Sequence, residues 1–302
     1  LGATVPADQS TLPQRILHPG DLAGPQKWRR RGLVGLGAPG SRCSMSTSER
    51  HFILFRDIPL MYARVPKVAN SSIKASLCRL LNEEPEGDMK TTADKFWKDH
   101  THGETSLITP QQARRLRKTH FSFSFVRNPF DRLVAAYNNK LLEIDDVPRP
   151  MKQMGLRHGI PFPEFIDIVC RCNPRELDNH VRPQSDMLLA RNILVPKFVG
   201  RMEHINEHWQ ALRRRMKREN LPVLGRLPRK NIRRQGRGDI LERFNSTKLV
   251  DAVLERYAQD FECFYSAYSV DNLLHGDQLA KHPPLQRGGT KSKILQLFKP
   301  TA

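Results

Sequence analysis

The 302-residue sequence predicts an α/β domain in which helices flank a central parallel sheet. Three observations carry this. Short apolar, strand-like runs alternate with segments whose apolar residues recur at helical spacing. Two of those runs pass straight into well-marked helix starts, as strand–helix crossover units do. No internal repeat is visible, and no run of about 18 apolar residues exists to form a membrane-spanning helix.

The elements follow in order. Residues 1–44 hold seven Gly and five Pro, the basic cluster Lys27, Trp28, Arg29, Arg30 and Arg31, and no apolar periodicity. Such a stretch cannot bury enough surface to offset its chain entropy, so a disordered extension is expected. It lacks the apolar core of a secretory signal. Met45 leads at once into a strand-like run, so residues 1–44 read as upstream sequence translated from a wrongly chosen start. An N-terminal mass showing Leu1 retained on native protein would refute that. Residues 45–270 form the expected domain. Residues 51–55 and 60–65 are strand-like, joined by a turn at Asp57, Ile58 and Pro59. Ile73, Leu77, Leu80 and Leu81 recur as on a helix, whereas 85–106 reads as a polar loop. A short helix over 110–117 precedes Phe121, Phe123 and Phe125, which alternate with Ser122 and Ser124 as in a strand. Phe130, Leu133, Val134, Tyr137 and Leu141 share one face of the next helix. After a loop carrying Pro148, Pro150, Pro161 and Pro163, the pattern predicts a helix over 165–170 and a strand over 195–199. Helices follow over 205–216 and 247–264. Residues 271–302 read as a basic, flexible tail.

Composition narrows the partners. The chain carries 50 Lys or Arg against 31 Asp or Glu, a formal charge of +19. At 38% hydrophobic and 27% charged it is globular, with length enough for a proper core. The positive surplus favours nucleotides, nucleic acid or acidic polysaccharide. The five cysteines (Cys43, Cys78, Cys170, Cys172 and Cys263) form no disulfide framework and no metal-ligand set.

Two turns carry the chemistry. In Val65-Pro66-Lys67-Val68-Ala69-Asn70-Ser71-Ser72 a strand ends, the chain turns, and a helix begins at 70–72. The unpaired N–H groups of a helix start attract an oxyanion. Ser71 and Ser72 add hydroxyls, and Lys67 adds a point charge. The segment is not a Walker A loop, since no glycine lies between Gly40 and Gly87. An ordinary N-capped helix beside one surface lysine explains it equally well. The second turn is Val126-Arg127-Asn128-Pro129-Phe130-Asp131. Asn128 suits an N-cap, Pro129 the first helical position and Asp131 the first turn. Arg127 then falls at the carboxyl end of a strand, where open α/β sheets bind ligands.

Together these turns resemble the 5′-phosphosulfate and 3′-phosphate motifs of the sulfotransferases, in the branch holding the Golgi carbohydrate enzymes and their bacterial relatives. The first motif is matched by Pro66, Lys67, Val68 and Ala69 with Asn70, Ser71 and Ser72. The second is matched from Val126 to Lys140. His180-Val181-Arg182-Pro183-Gln184, Phe198-Val199-Gly200-Arg201-Met202-Glu203 and Tyr257-Ala258-Gln259-Asp260-Phe261 follow in the family's order, so the resemblance spans about residues 51–268. It implies a P-loop-like sulfotransferase fold. In one departure, the family's serine eight residues after the arginine is here Ala135. A hydrogen bond to a charged group contributes roughly 1.5–3 kcal/mol. Weaker nucleotide binding is expected, or substitution by Ser122, Ser124 or a nearby basic residue.

The resemblance implies transfer of a sulfuryl group from 3′-phosphoadenylyl sulfate to a carbohydrate hydroxyl, with acidic polysaccharide among the acceptors and no metal. Lys67 and the helix-start N–H groups would meet the departing phosphate. A histidine would take the acceptor proton. His102 is placed like the base of a heparan-type 2-O-sulfotransferase and ranks first. His180, in the His-x-x-Pro-Gln segment, ranks second. His120 is expected to be a plain strand-edge residue. The 12 Lys or Arg between 201 and 237 read either as a cleft wall with a closing loop (Lys230, Arg233 and Arg234) or as a solvated helix face. A competing function is non-catalytic binding of a polyanion, nucleic acid or acidic glycan. Against it, aromatics are only 7% and no nucleic-acid motif is present. A third reading is a relative that keeps the fold but binds nucleotide poorly, as Ala135 would cause. Without an anchor in the sequence, the expected compartment is the cytoplasm of a bacterium, or the Golgi lumen for an anchor-less fragment.

Overall fold

The computed structural model describes residues 49–83, 85, 90–228, 239–275, 279 and 281–286. The expected extension over 1–44 lies outside them, as do Lys230, Arg233 and Arg234 and the tail beyond Gln286. The strands are β1 (Phe52–Phe55), β2 (Leu60–Ala63), β3 (Thr105–Ile108), β4 (Phe121–Val126), β5 (Leu189–Ala190), β6 (Ile193–Leu194), β7 (Phe198–Arg201) and β8 (Leu285–Gln286). The helices are α1 (Asn70–Leu77), α2 (Asp94–Asp99), α3 (Pro110–Arg115), α4 (Pro129–Tyr137), α5 (Arg149–Gln153) and α6 (Phe162–Arg171). They continue with α7 (Gln184–Leu188), α8 (Ile205–Arg218), α9 (Asp239–Arg243), α10 (Thr247–Arg256), α11 (Ala258–Phe264) and α12 (Val270–His275).

Six strands pair in the order β3-β1-β2-β4-β7-β8. The expectation of a parallel sheet holds at its centre, where β2, β4 and β7 run together. It fails at the edges, where β1, β3 and β8 each pair antiparallel with their inner neighbour. The four-residue link from Phe55 to Leu60 permits only a hairpin, so β1 must oppose β2.

The alternation of Phe and Ser along β4 suggests one wet face, yet all six residues are buried. The serines are tolerated because their hydroxyls donate to backbone carbonyls, Ser122 to Val195 (3.2 Å) and Ser124 to Ala63 (2.8 Å). Neither is therefore placed to replace the hydroxyl missing at Ala135. Tyr62 stacks on Phe123 with ring centres 5.0 Å apart, and Phe125 packs against Phe198 and Trp209.

Phe125 lies opposite Gly200 in the ladder, and a Cβ at Gly200 would stand 2.3 Å from its ring. Gly200→Ala is expected to destabilise the fold by about 1–3 kcal/mol, the usual effect of overpacking. A urea midpoint equal to that of the unsubstituted protein would contradict this packing.

Several stretches depart from the sequence reading: the strand expected over 195–199 forms as β7 over Phe198–Arg201, and the loop carrying Pro148 and Pro150 contains α5. The polar loop expected over 85–106 contains α2 and the first residues of β3. Phe96 and Trp97 bury α2, but two adjacent aromatics have no periodicity to detect. The helix expected over 247–264 breaks at Tyr257 into α10 and α11. The flexible tail expected from 271 is instead ordered in part, with α12 burying Leu273 and Leu274 and β8 extending the main sheet. Two apolar pairs are too short a signal to read as elements.

Candidate functional site

β2, β4 and β7 all point their carboxyl ends at one edge of the sheet, so the loops that follow them converge there. After β2 the chain takes the turn through Val65, Pro66, Lys67, Val68 and Ala69. Lys67 (φ 70°) and Ala69 (φ 60°) both occupy the left-handed region without being glycine, a strain of roughly 1–3 kcal/mol each. Such conformations turn successive N–H groups toward one concave point. α1 then begins with no side-chain cap. The first turn of α1 stands at the positive end of the helix dipole, where an anion is favoured. The ordinary capped-helix reading of this segment does not hold, since Ala69 at the N-cap position has no side chain able to cap α1. Val68 is fully buried, so only its backbone can face a bound group. Tyr62 Oη donates to Asn70 Oδ1 at 3.1 Å and holds the helix start to β2.

The loop after β4 is capped as the sequence predicts. Asn128 Oδ1 accepts from Phe130 N at 3.2 Å, with Pro129 at the first helical position. Asp131 does more than complement the helix dipole. Its two oxygens accept from Arg127 Nε (2.6 Å) and Nη2 (2.9 Å), while Arg127 Nη1 donates to Lys67 O at 3.2 Å. Lys67 and Arg127 therefore lie on one face of the sheet edge, in direct contact. Asp131 is the leading counter-charge that pushes the Arg127 guanidinium up against the effect of its burial.

Arg132 ties a third loop to these two. Fully buried, it donates to Pro66 O (3.2 Å), Arg182 O (2.7 Å) and Asn179 O (2.9 Å). That clamp lays the turn carrying His180 against the turn carrying Lys67. The His180 imidazole Nδ1 donates to Asp178 Oδ1 at 2.8 Å, and its side chain stays 28% exposed. Burial lowers the His180 pKa below its ordinary 6.5. Asp178 opposes the shift, and the Lys140 and Lys67 ammonium groups add to it.

His102 lies elsewhere. It precedes β3, and the register Phe55↔Thr105 and Phe52↔Ile108 puts the start of β3 at the edge opposite Ala63. Four strand residues separate the two edges, roughly 13 Å. The His102 side chain is 55% exposed and its Nε2 lies 3.1 Å from Glu83 Oε2. It cannot reach Lys67, so the expectation that placed His102 ahead of His180 does not hold. His120, just before β4, sits at that same far edge and bonds Thr119. Ala135 is part-exposed on α4 between Asp131 and Asn139.

Part of the basic stretch is structural. Arg201 donates to Phe264 O (2.9 Å) and Pro283 O (3.0 Å), and Arg213 to Leu224 O (2.7 Å). Arg214, Lys217 and Arg218 on α8 are exposed, as a solvated face would be.

Sequence reasoning quoted several further residues without seeing their task. Gln184 brackets the Arg127 backbone, its Nε2 donating to Arg127 O (2.8 Å) and its Oε1 accepting from Arg127 N (2.9 Å). Asp260 is fully buried and accepts from Gln184 N (2.8 Å) and Ser185 N (2.7 Å), while Tyr257 Oη donates to Val181 O. The 257–260 segment thus holds the His180–Gln184 turn in place. Glu203 accepts from Asn128 N and Tyr265 Oη, and burial raises its pKa.

Beside this network, burial and the neighbouring Asp260 push the Asp186 carboxyl up to about 6. A carboxyl raised on folding imposes no penalty below pH 4. The penalty grows as pH rises through 4 to 6 and is complete above 6. Asp186→Asn is therefore expected to stabilise the protein by about 2–3 kcal/mol at pH 8 and hardly at all at pH 4. Equal urea midpoints for the two proteins at pH 8 would show the carboxylate to be well accommodated.

Residues 50–266 match the model of the sulfotransferase family. Carbohydrate sulfotransferase 11 of Rattus norvegicus is 28% identical over 172 residues, 54% of this chain and 44% of that protein. Carbohydrate sulfotransferase 14 of Mus musculus is 27% identical over 148 residues, 44% of this chain and 38% of that protein. The chain therefore matches less than half the length of these curated relatives. No solved structure matches it significantly. Among the described residues no helix is long and apolar enough to cross a membrane. With a family match over residues 50–266, and with Lys67, Arg127 and His180 brought to one sheet edge, the chain belongs to the sulfotransferase family.

Proposed function

We propose that this chain transfers a sulfuryl group from 3′-phosphoadenylyl sulfate to a carbohydrate hydroxyl. The supporting observation is the contact of Arg127 Nη1 with Lys67 O, together with the Arg132 clamp that brings the His180 turn to the same place. Three loops from three elements meet where one nucleotide, anionic at both ends, would be gripped at each. The donor supplies the sulfuryl group and a good leaving group, adenosine 3′,5′-bisphosphate.

The residues divide the work. The N–H groups of the 66–72 turn, with Pro66, Val68, Asn70, Ser71 and Ser72 shaping it, hold the 5′-phosphosulfate. Lys67 places its charge where the departing phosphate gains negative charge, the kind of stabilisation that does most for a loose transition state. Arg127 receives the 3′-phosphate, beside an Ala135 that offers it no hydroxyl. As the acceptor oxygen bonds to sulfur and the sulfur–phosphate oxygen bond breaks, the acceptor proton passes to His180 Nε2. Asp178 on Nδ1 keeps the ring in the tautomer that accepts there.

The acceptor class we propose is a carbohydrate, acidic polysaccharide included, because Lys67 and Lys140 make the surroundings of His180 positive. The working unit, read from the sequence as 45–270, is proposed to run on through β8 at Gln286, since that strand completes the sheet.

Incubation with radiolabelled donor and a panel of sugar acceptors tests this reading. Label transfer together with saturable binding of adenosine 3′,5′-bisphosphate supports it. Salt-sensitive DNA binding with no nucleotide effect would replace it with the polyanion-binding reading.

A further inference from the structure

Asp131, Ala135 and Asn139 follow one another at intervals of four residues along α4 and its continuation. That spacing places them on one stripe of the helix surface. Asp131 holds Arg127 in a two-pronged ion pair, and Asn139 Oδ1 accepts from Lys67 Nζ. Each basic residue assigned to the donor is thus tethered to the same stripe. The tethers lie about 12 Å apart along the axis, with Ala135 between them.

The backbone changes where the second tether stands. After Tyr137 the helix widens into a π turn over 138–142, in which Glu143 N donates to Asn138 O at 3.0 Å. Such turns recur at functional sites. Asn139 lies within it, and its Nδ2 donates to Glu143 Oε2 at 3.2 Å. An amide has one donor end and one acceptor end. With the carboxylate taking the donor end, the oxygen is left to meet the ammonium of Lys67. The tether is also neutral. A carboxylate at this position would cancel the charge that Lys67 is to present, whereas an amide restrains the side chain without doing so.

We propose that Asn139, oriented by Glu143, is a positioning residue that sets where the Lys67 ammonium stands for the donor. The proposal rests on the sulfotransferase reading for the identity of that donor. Lysine has a long, flexible stem, and a charge helps the transition state only if it is already in place. Ala135 offers no polar group on the stripe, so the restraint comes from the next position along it.

Lysine acylation by acetic anhydride, read residue by residue by mass spectrometry, tests the tether without any activity. With the exposed Lys98 as reference, Asn139→Ala is expected to speed acylation of Lys67 severalfold, and Glu143→Gln to do so by less. Transfer kinetics then test the consequence. Asn139→Ala should lower kcat roughly tenfold at a donor KM changed less than about twofold, whereas Asn139→Asp should raise donor KM. Both variants should melt with the unsubstituted protein. Unchanged Lys67 acylation in Asn139→Ala overturns the proposal, as does a kcat loss that tracks a loss of melting temperature in both variants. Should the unsubstituted protein transfer no sulfuryl group, the functional reading fails and the acylation rates alone decide the role of Asn139.

Discussion

Lys67→Ala is expected to lower the rate of sulfuryl transfer by about 10²–10³-fold, as removal of a preorganised transition-state donor does elsewhere. The folded state should barely notice. Lys67 is part-exposed, its Nζ bonds the side-chain amide of Asn139, and its carbonyl contact with Arg127 is made by the backbone, which the substitution keeps. The left-handed φ at position 67 is as strained for alanine as for lysine. The effect is thus a loss of charge at one point, with the cradle of N–H groups intact. Nucleotide binding measured by titration calorimetry should weaken, and the melting temperature should stay within a degree or two. Arg127→Ala makes the informative contrast. It strips Asp131 of its two-pronged partner at a site where the arginine is only 15% exposed, so it should weaken both nucleotide binding and the fold. A Lys67→Ala protein that transfers at the unsubstituted rate would remove Lys67 from the reaction.

The different standing of these two residues was only partly legible in the sequence. Strand–turn–helix punctuation placed Lys67 and Arg127 at strand ends, because caps, prolines and apolar periodicity are local signals. Asn128 and Pro129 show this directly. What the sequence did not reveal depends on direction and on long-range pairing. His102 looked as well placed as His180 until the register of β3 against β1 put it at the far edge of the sheet. Nothing within a few residues of His102 encodes that register. Arg132 read as one more basic residue on a helix, yet its three carbonyl partners come from loops 47 to 66 positions away. Asp260 and Gln184 were visible as parts of motifs, but their task, bracing the Arg127 backbone, exists only once α11 docks. The α2 helix and β8 were missed for a simpler reason. Two to six residues with one or two apolar side chains cannot show a period.

His180→Ala is expected to reduce kcat by about 10²–10⁴-fold, the range for removing a positioned general base. Its pH dependence carries the sharper test. In the folded protein burial lowers the His180 pKa below 6.5, Asp178 raises it in opposition, and Lys140 and Lys67 lower it again. A base must be unprotonated to act, so kcat should fall on the acid side with a limb below the ordinary imidazole value. Asp178→Asn takes away the one contribution that raises the pKa. The acid limb should therefore move to still lower pH, and kcat on the plateau should fall as the ring loses the carboxylate that orients it. Lys140→Ala removes a positive neighbour and should move the limb the opposite way. Opposite displacements by two substitutions on either side of one ring are hard to obtain from general loosening of the site. If the acid limb persists in His180→Ala, or if Asp178→Asn and Lys140→Ala shift it in the same direction, the proton is taken by another group.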